Sequence, residues 1–279
     1  MNMAVLLLGY DVECIWKFGV TRRFLRKLRE IHGDLQAPCS IFITGQTLKK
    51  NKKICRELRH CALFDFQQHT YSHVPFKRVV TEKWGEAIVL QAASIQKIKR
   101  EVSRTSHLLK RILDVDCIGL TTPYAYYAGL KDQPDILHVL HNEGIRFTRS
   151  YGRNKQGGQP VSMQVQPFWY RMQEGREILE FPIQGWQDCI WRDTYGWEHT
   201  QLYLQYLKSN IDLISETNLT WCCLHHDWSS VRNDPNMIIM RALITYAKDR
   251  GVKLVTYKDY YETEYAKKSG KINRPTALL

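Results

Sequence analysis

The sequence has no Cys-x-x-Cys pair: its eight cysteines (Cys14, Cys39, Cys55, Cys61, Cys117, Cys189, Cys222 and Cys223) are scattered, mostly in apolar, strand-like surroundings. This spacing excludes a zinc-finger pattern and argues against a disulfide framework, so free buried thiols in a reducing compartment are expected, with the vicinal Cys222-Cys223 pair as strand filler. Long apolar runs are missing too. None approaches the roughly 20 residues of a membrane span. The short run Ala4 to Leu8 has no basic segment before it and no small-residue cleavage site after it, so no signal peptide is expected and the implied location is cytoplasmic. Internal repeats and low-complexity tracts are likewise absent.

Acidic residues are scarce, 28 against 40 Lys and Arg, giving a formal charge of +12. Such a surplus invites an anionic partner. Nothing resembling a helix-turn-helix or an RNA-recognition aromatic motif accompanies it, so nucleic acid is not expected. The cations fall on helix-like segments, Arg22 to Arg29, Lys49 to Arg59 and Lys97 to Arg111, where they form solvated faces. A substrate carrying phosphate uses the charge more economically.

The 279 residues, 44% of them hydrophobic, suffice for one large α/β domain with a real core. Strand-like and helical stretches alternate. Ala4–Val12 reads as a strand, Val20–Ile31 as a helix, Cys39–Thr44 as a strand, Thr47–His60 as a basic helix, and Ala62–Gln68 as a strand. A long helix is expected over 82–113, then a strand at Cys117–Leu120, a helix at Asp135–Asn142 capped by Gly144, and a strand at Ile145–Tyr151. Ser162–Met172 and Glu177–Ile183 read as a hairpin whose first arm, holding Pro167, lies at an edge. After a Trp-rich loop come helix Leu202–Ile214, strand Thr220–Leu224, helix Met237–Arg250 and a last strand, Lys253–Tyr257. This order implies a mainly parallel sheet, as a barrel more than an open sheet, in a single domain spanning residues 1–266. Residues 267–279 (KKSGKINRPTALL) read as a loose basic tail.

Polar residues gather at the expected C-terminal strand ends, where such folds place their chemistry: Asp11, His69, Thr121, Arg149, Asp188 and His226. His69-Thr70-Tyr71-Ser72-His73 sets two imidazoles four residues apart, and a carboxylate from Asp11-Val12-Glu13 can complete a three-ligand face with one position open. In extended backbone Asp11 and Glu13 share one side of the strand, so one can ligate while the other serves as general base. Leu224-His225-His226-Asp227 offers a general acid at another strand mouth, and Tyr124, just after Pro123, can aim its backbone N–H into the pocket. Trp186, Asp188 and Trp191 lie in the loop after Ile178–Ile183, where tryptophans stack on sugars or cover a barrel end.

The order of Asp11-Val12-Glu13, Pro38–Gly45 (PCSIFITG), His69–His73, Gly119–Tyr124 (GLTTPY), Gly144–Tyr151 (GIRFTRSY) and Leu224–Asp227 resembles the NodB-like polysaccharide deacetylases from about Val5 to Tyr257. The resemblance implies a distorted (β/α) barrel of about seven strands and a metal-dependent deacetylase acting on non-peptide carbon-nitrogen bonds. By position it assigns Glu13, His69 and His73 as metal ligands and Asp11 as the base. His226 matches the general acid, with His225 as the fallback, and Tyr124 the amide donor to the oxyanion, while Asp188 is the candidate for the carboxylate that tunes the acid. Two departures stand out. The family's Arg that orients the base is replaced by Thr121, for which Arg149 is the candidate substitute, and the usual Asp ligand is Glu13.

The implied cofactor is a divalent metal, zinc first, with cobalt, nickel or iron also suited to two His and one carboxylate. The implied substrate is an N-acyl amino sugar or glycan precursor, free, nucleotide-linked or lipid-linked, with room for phosphate, and a homo-oligomer is compatible with the sequence. The alternatives are a carbohydrate-binding member of the fold with impaired catalysis and a hydrolase of a cyclic amide.

Overall fold

Alternation along the first strand decides the architecture. In β1 (Val5–Val12), Leu6, Leu8, Tyr10 and Val12 pack into one large core with Phe24, Leu25 and Leu28. Leu7 instead joins a second cluster with Phe42, Phe147, Leu179, Phe181, Cys222 and Tyr257. A strand buried on both faces reads as a continuous apolar run, and its period of two sends Leu7, Gly9 and Asp11 to the inner side. The computed structural model describes residues 3–83 and 86–270.

After β1 come α1 (Val20–Asp34), β2 (Cys39–Ile43), α2 (Gly45–Lys50), α3 (Lys52–Arg59) and β3 (Phe64–Gln68). The hairpin β4 (Val79–Lys83) and β5 (Glu86–Leu90) precedes α4 (Ile95–Leu113), β6 (Gly119–Tyr127), α5 (Pro134–Asn142) and β7 (Phe147–Arg153). The chain continues through β8 (Phe168–Arg171), β9 (Glu177–Glu180), α6 (Asp188–Tyr195), α7 (Thr200–Thr217) and β10 (Thr220–His226). It ends its described part with α8 (Asp227–Ser230), α9 (Ile238–Asp249), β11 (Lys253–Leu254) and α10 (Tyr257–Lys268).

The main sheet runs β10-β1-β2-β3-β6-β7-β9-β8, with β11 beside β1. Every neighbouring pair from β10 to β9 is parallel, and only the edge strand β8 is antiparallel. Helices surround this mixed sheet, which is the distorted (β/α) barrel the resemblance implies. Its seam is closed by side chains. Gln184 donates to the Thr220 carbonyl at 3.0 Å and accepts from the Cys222 N–H at 2.7 Å, and Gln166 accepts from the Thr220 N–H at 2.9 Å. These amides satisfy backbone groups that a strand ladder would otherwise hold.

Several expected boundaries move. The helix expected over 82–113 starts only at Ile95, because Val79-Val80-Thr81 and Ile88-Val89-Leu90 favour an antiparallel hairpin. Ser94 then caps α4 by accepting from the Lys97 N–H at 3.3 Å. The helix expected over 47–60 breaks at Asn51 into α2 and α3. The first hairpin arm shrinks to β8, just past Pro167, while Val161 keeps a single bridge to Gly185. Part of the Trp-rich loop is helical, as α6. Thr256 caps α10 by accepting from the Asp259 N–H at 3.0 Å, so Tyr257 begins a helix instead of ending a strand. That helix takes in Lys267 and Lys268 of the expected tail, and residues 271–279 lie outside the described residues. No helix among the described residues is long and apolar enough to cross a membrane.

Candidate metal centre

Strand register assembles the site. β1 and β10 pair in parallel with Asp11 opposite His226 and Tyr10 opposite His225. His226 therefore shares the inner side with Asp11, and His225 shares the helix side with Tyr10. Glu13 follows β1 two residues after Asp11, and His69 follows β3 directly. Thr70 and His73 both adopt left-handed backbone at φ 59, which folds the loop back, and the Thr70 hydroxyl accepts from the His73 N–H at 3.1 Å.

The result is a compact donor set. Glu13 Oε2 lies 3.0 Å from His69 Nε2 and 2.8 Å from His73 Nε2. Ligands about 2 Å from one tetrahedral ion stand roughly 3.3 Å apart, so a small outward shift of these side chains fits a divalent metal. His69 Nδ1 meets the Thr121 carbonyl at 2.9 Å, which leaves Nε2 as the ligand atom. The Trp228 indole N–H donates to the other Glu13 oxygen at 3.2 Å. Burial alone would raise the Glu13 carboxyl; His73 and His69 outweigh it and hold the group well below its usual value.

Asp11 is buried beside this face and paired with Arg149, whose Nη1 donates to Oδ1 at 2.9 Å and to the Thr121 hydroxyl at 3.0 Å. Arg149 on β7 and Thr121 on β6 are register partners. The fully buried guanidinium lies 4.4 Å from the Phe42 ring centroid and 5.0 Å from that of Tyr257. Its other nitrogens meet no hydrogen-bond acceptor among the described residues. Glycine at position 9 makes the room, since a Cβ there would stand 2.8 Å from the Arg149 guanidinium carbon.

His226 faces Asp188, the first residue of α6. Its Nδ1 lies 2.6 Å from Oδ1, and its backbone N–H donates to Oδ2 at 2.9 Å. Burial by itself would lower the imidazole; the Cys189 sulfur and the Asp188 carboxylate reverse this and hold it well above the usual histidine value. Burial pushes His225 the other way, to about 4, and its Nε2 contacts Cys223 Sγ at 3.4 Å. Asp188, Cys189 and His226 also form a second group with metal-ligand chemistry, but Asp188 and His226 already satisfy each other.

Residues 122–125 bulge out of the β6–β7 ladder. Tyr124 and Ala125 are left-handed at φ 69 and 39, and Arg153 Nε donates to both their carbonyls, at 3.3 and 3.1 Å. Strained backbone of this kind gathers at functional sites. The Tyr124 ring packs 4.9 Å from that of His73. The sequence reading missed Trp228, the Thr121 carbonyl and Arg153. It also missed Asp227, which accepts the Glu13 and Cys14 N–H groups at 3.4 and 3.3 Å. Only Asp227 and Trp228 carried a signal, as neighbours of His226.

The sequence model of the polysaccharide deacetylase family matches residues 16–148, which include His69, His73, Thr121 and Tyr124. Over those residues the chain is similar to the polysaccharide deacetylase family, and the solved structures below share its fold. A Mycobacterium smegmatis structure assigned as a polysaccharide deacetylase superposes with a TM-score of 0.70 at 13% identity, over 100% of this chain and 95% of that one. An allantoinase structure gives 0.70 at 10% identity, over 96% and 92%. A family 4 carbohydrate esterase pseudoenzyme from Bacillus anthracis gives 0.56 at 12% identity, over 93% and 66%. No curated protein matches the sequence. The family similarity and the donor set together support a metal-dependent hydrolase.

Proposed function

We propose that this protein hydrolyses the N-acyl group, acetyl first, of an amino sugar, releasing a carboxylate and a free amine. The observation that carries the reading is the pairing of Arg149 with Asp11 beside the Glu13–His69–His73 face, with His226 opposite Asp11 on the adjacent strand. The base and one ligand thus come from β1 and its end, the two histidine ligands from the segment after β3, and the acid from β10.

Glu13, His69 and His73 would hold the ion, zinc by donor chemistry, which when bound polarises a carbonyl and acidifies water. Asp11 takes a proton from the attacking water, and Arg149 keeps its carboxylate aimed. The Tyr124 N–H receives the carbonyl oxygen as charge grows on it. His226, kept protonated by Asp188, delivers a proton to the departing amine. A groove of about 870 Å³, linked to the Tyr124 carbonyl through Arg153, is lined by Lys77, Arg78, Lys131 and Arg153, with Asp132 paired to Lys77. Those cations suit a phosphate-bearing sugar.

Thr121 motivates a second reading, a carbohydrate-binding protein without turnover, as with the pseudoenzyme that shares the fold. Arg149 counts against it, because a fold without turnover has no need of a buried guanidinium beside the base. The fold shared with an allantoinase keeps a cyclic amide as the other substrate class. Metal-loaded and metal-stripped protein assayed against N-acyl hexosamines and cyclic amides separates these readings. Metal-dependent carboxylate release from a hexosamine is expected, and silence across the loaded panel would overturn the hydrolase.

A further inference from the structure

The loop leaving the metal face carries a cluster of exposed apolar side chains: Phe18 is 99% exposed, Trp16 64% and Ile15 40%. Large apolar groups grouped at one tip mark an interaction surface. The loop's base is fixed by the Asp227 bonds to Glu13 and Cys14, by a third from the Thr21 hydroxyl, and by Lys50 Nζ on the Ile15 carbonyl at 3.3 Å. The tip is thereby held outward. Trp16 lies 6.2 Å, ring to ring, from Trp228, whose indole reaches Glu13, so the tip borders the mouth of the site.

The segment that carries the tip, and the one that Lys50 reaches from, are basic. No Asp or Glu occurs from Cys14 to Arg29 or from Gly45 to Arg56. Lys17, Arg22, Arg23, Lys49, Lys50 and Lys53 are all exposed on these segments. A glycan platform would account for Trp16 but leaves Phe18, Ile15 and the one-signed charge without a role. A nucleic acid would account for the charge but not for the aliphatic and aromatic tip. Apolar side chains that enter the acyl boundary, ringed by cations that meet anionic headgroups, are the mark of a peripheral membrane anchor.

We infer that the Ile15–Phe18 loop inserts into an anionic lipid surface and sets the mouth of the site against it. The substrate class is then an N-acyl amino sugar carried on a lipid. Only this last clause rests on the hydrolase reading; the docking does not.

The test is co-sedimentation of the full chain with vesicles of equal parts phosphatidylcholine and phosphatidylglycerol, and with vesicles of phosphatidylcholine alone, at low and high salt. Binding to the anionic vesicles is expected, weakened by salt and at least about tenfold weaker on phosphatidylcholine alone. The variant I15S/F18S, with an unchanged melting temperature, is expected to bind at least about tenfold more weakly. K17E/R23E is expected to lose the salt-sensitive part, a second reading independent of the apolar tip. Wild type left in the supernatant, or both variants pelleting like wild type, overturns the inference. Binding to insoluble glycan through Phe18 in place of vesicles also overturns it. Vesicle binding is read without turnover, so an inactive but membrane-bound protein would contradict the hydrolase alone.

Discussion

Arg149 Nη1 lies 2.9 Å from Asp11 Oδ1, reaching it from β7, while Thr121, its register partner on β6, accepts a second bond from the same nitrogen. By resemblance the superfamily places its base-orienting arginine where Thr121 stands. Here the guanidinium comes from the adjacent strand, and Thr121 supplies a small hydroxyl that leaves it space. In the proposed mechanism this keeps a charge beside Asp11 although the position that carries it has changed.

Replacing Arg149 with Met should lower kcat by about 100-fold with little change in KM, because the interaction acts on the base and not on substrate binding. It should also destabilise the fold by about 3 kcal/mol, since Asp11 is left as a buried, unpartnered charge. Adding Thr121→Arg to an Arg149→Thr protein should recover part of the lost rate. Steady-state kinetics and denaturant unfolding check both points; an R149M enzyme as active as wild type contradicts the pairing.

Metal should stabilise the folded chain. With zinc at a hundred times its dissociation constant, linkage predicts about 3 kcal/mol of added stability. His73→Ala should lose most of that gain and His69→Ala nearly all of it, because His69 is more deeply buried and is oriented by the Thr121 carbonyl. Thermal unfolding with and without added metal measures it. A wild-type transition indifferent to metal would remove the ligand assignment.

How much of this was legible before the structure follows from where each signal lies. His69 and His73 share five residues, and Asp11 and Glu13 share three, so local spacing announced them. Six of the seven parallel strands from β10 to β9 were likewise readable as apolar runs alternating with helices, and β9 as one arm of a hairpin. The β4–β5 hairpin was not, because Thr81 to Leu90 is polar enough to pass for a helix and only the antiparallel pairing of the two strands distinguishes it. Trp228 on Glu13 and Arg153 on the Tyr124 carbonyl are contacts between distant segments, which no spacing rule encodes. Arg149 was named from its place at a strand mouth; its bond to Asp11 depends on register.

The His226–Asp188 pair sets the expected pH behaviour. His226 is held above its usual 6.5, so its contribution to stability is complete below that pH and disappears as pH rises through the raised value. Asp188 sits at about 2 against a usual 3.8, so its contribution is complete above 3.8 and disappears as pH falls through about 2. Asp188→Asn should shift the alkaline limb of kcat to lower pH and reduce the plateau by about tenfold or more. A pH–rate profile checks this; an unmoved limb would deny Asp188 its tuning role.

Tyr124 should matter through its amide. Tyr124→Gly keeps the N–H and suits φ 69, so kcat should stay within about tenfold of wild type while backbone strain falls. Kinetics decide the matter: a loss as large as that of Arg149→Met would assign the work to the phenol ring packed on His73.

The central claim is that Asp11 acts as base beside a metal it does not bind. The direct measurement is metal content and carboxylate release for wild type and Asp11→Asn, both loaded with zinc and given the preferred N-acyl amino sugar. The account predicts equal metal in the two proteins and a rate at least about a thousandfold lower in the variant. Full activity in Asp11→Asn, or loss of its metal together with its activity, would contradict it.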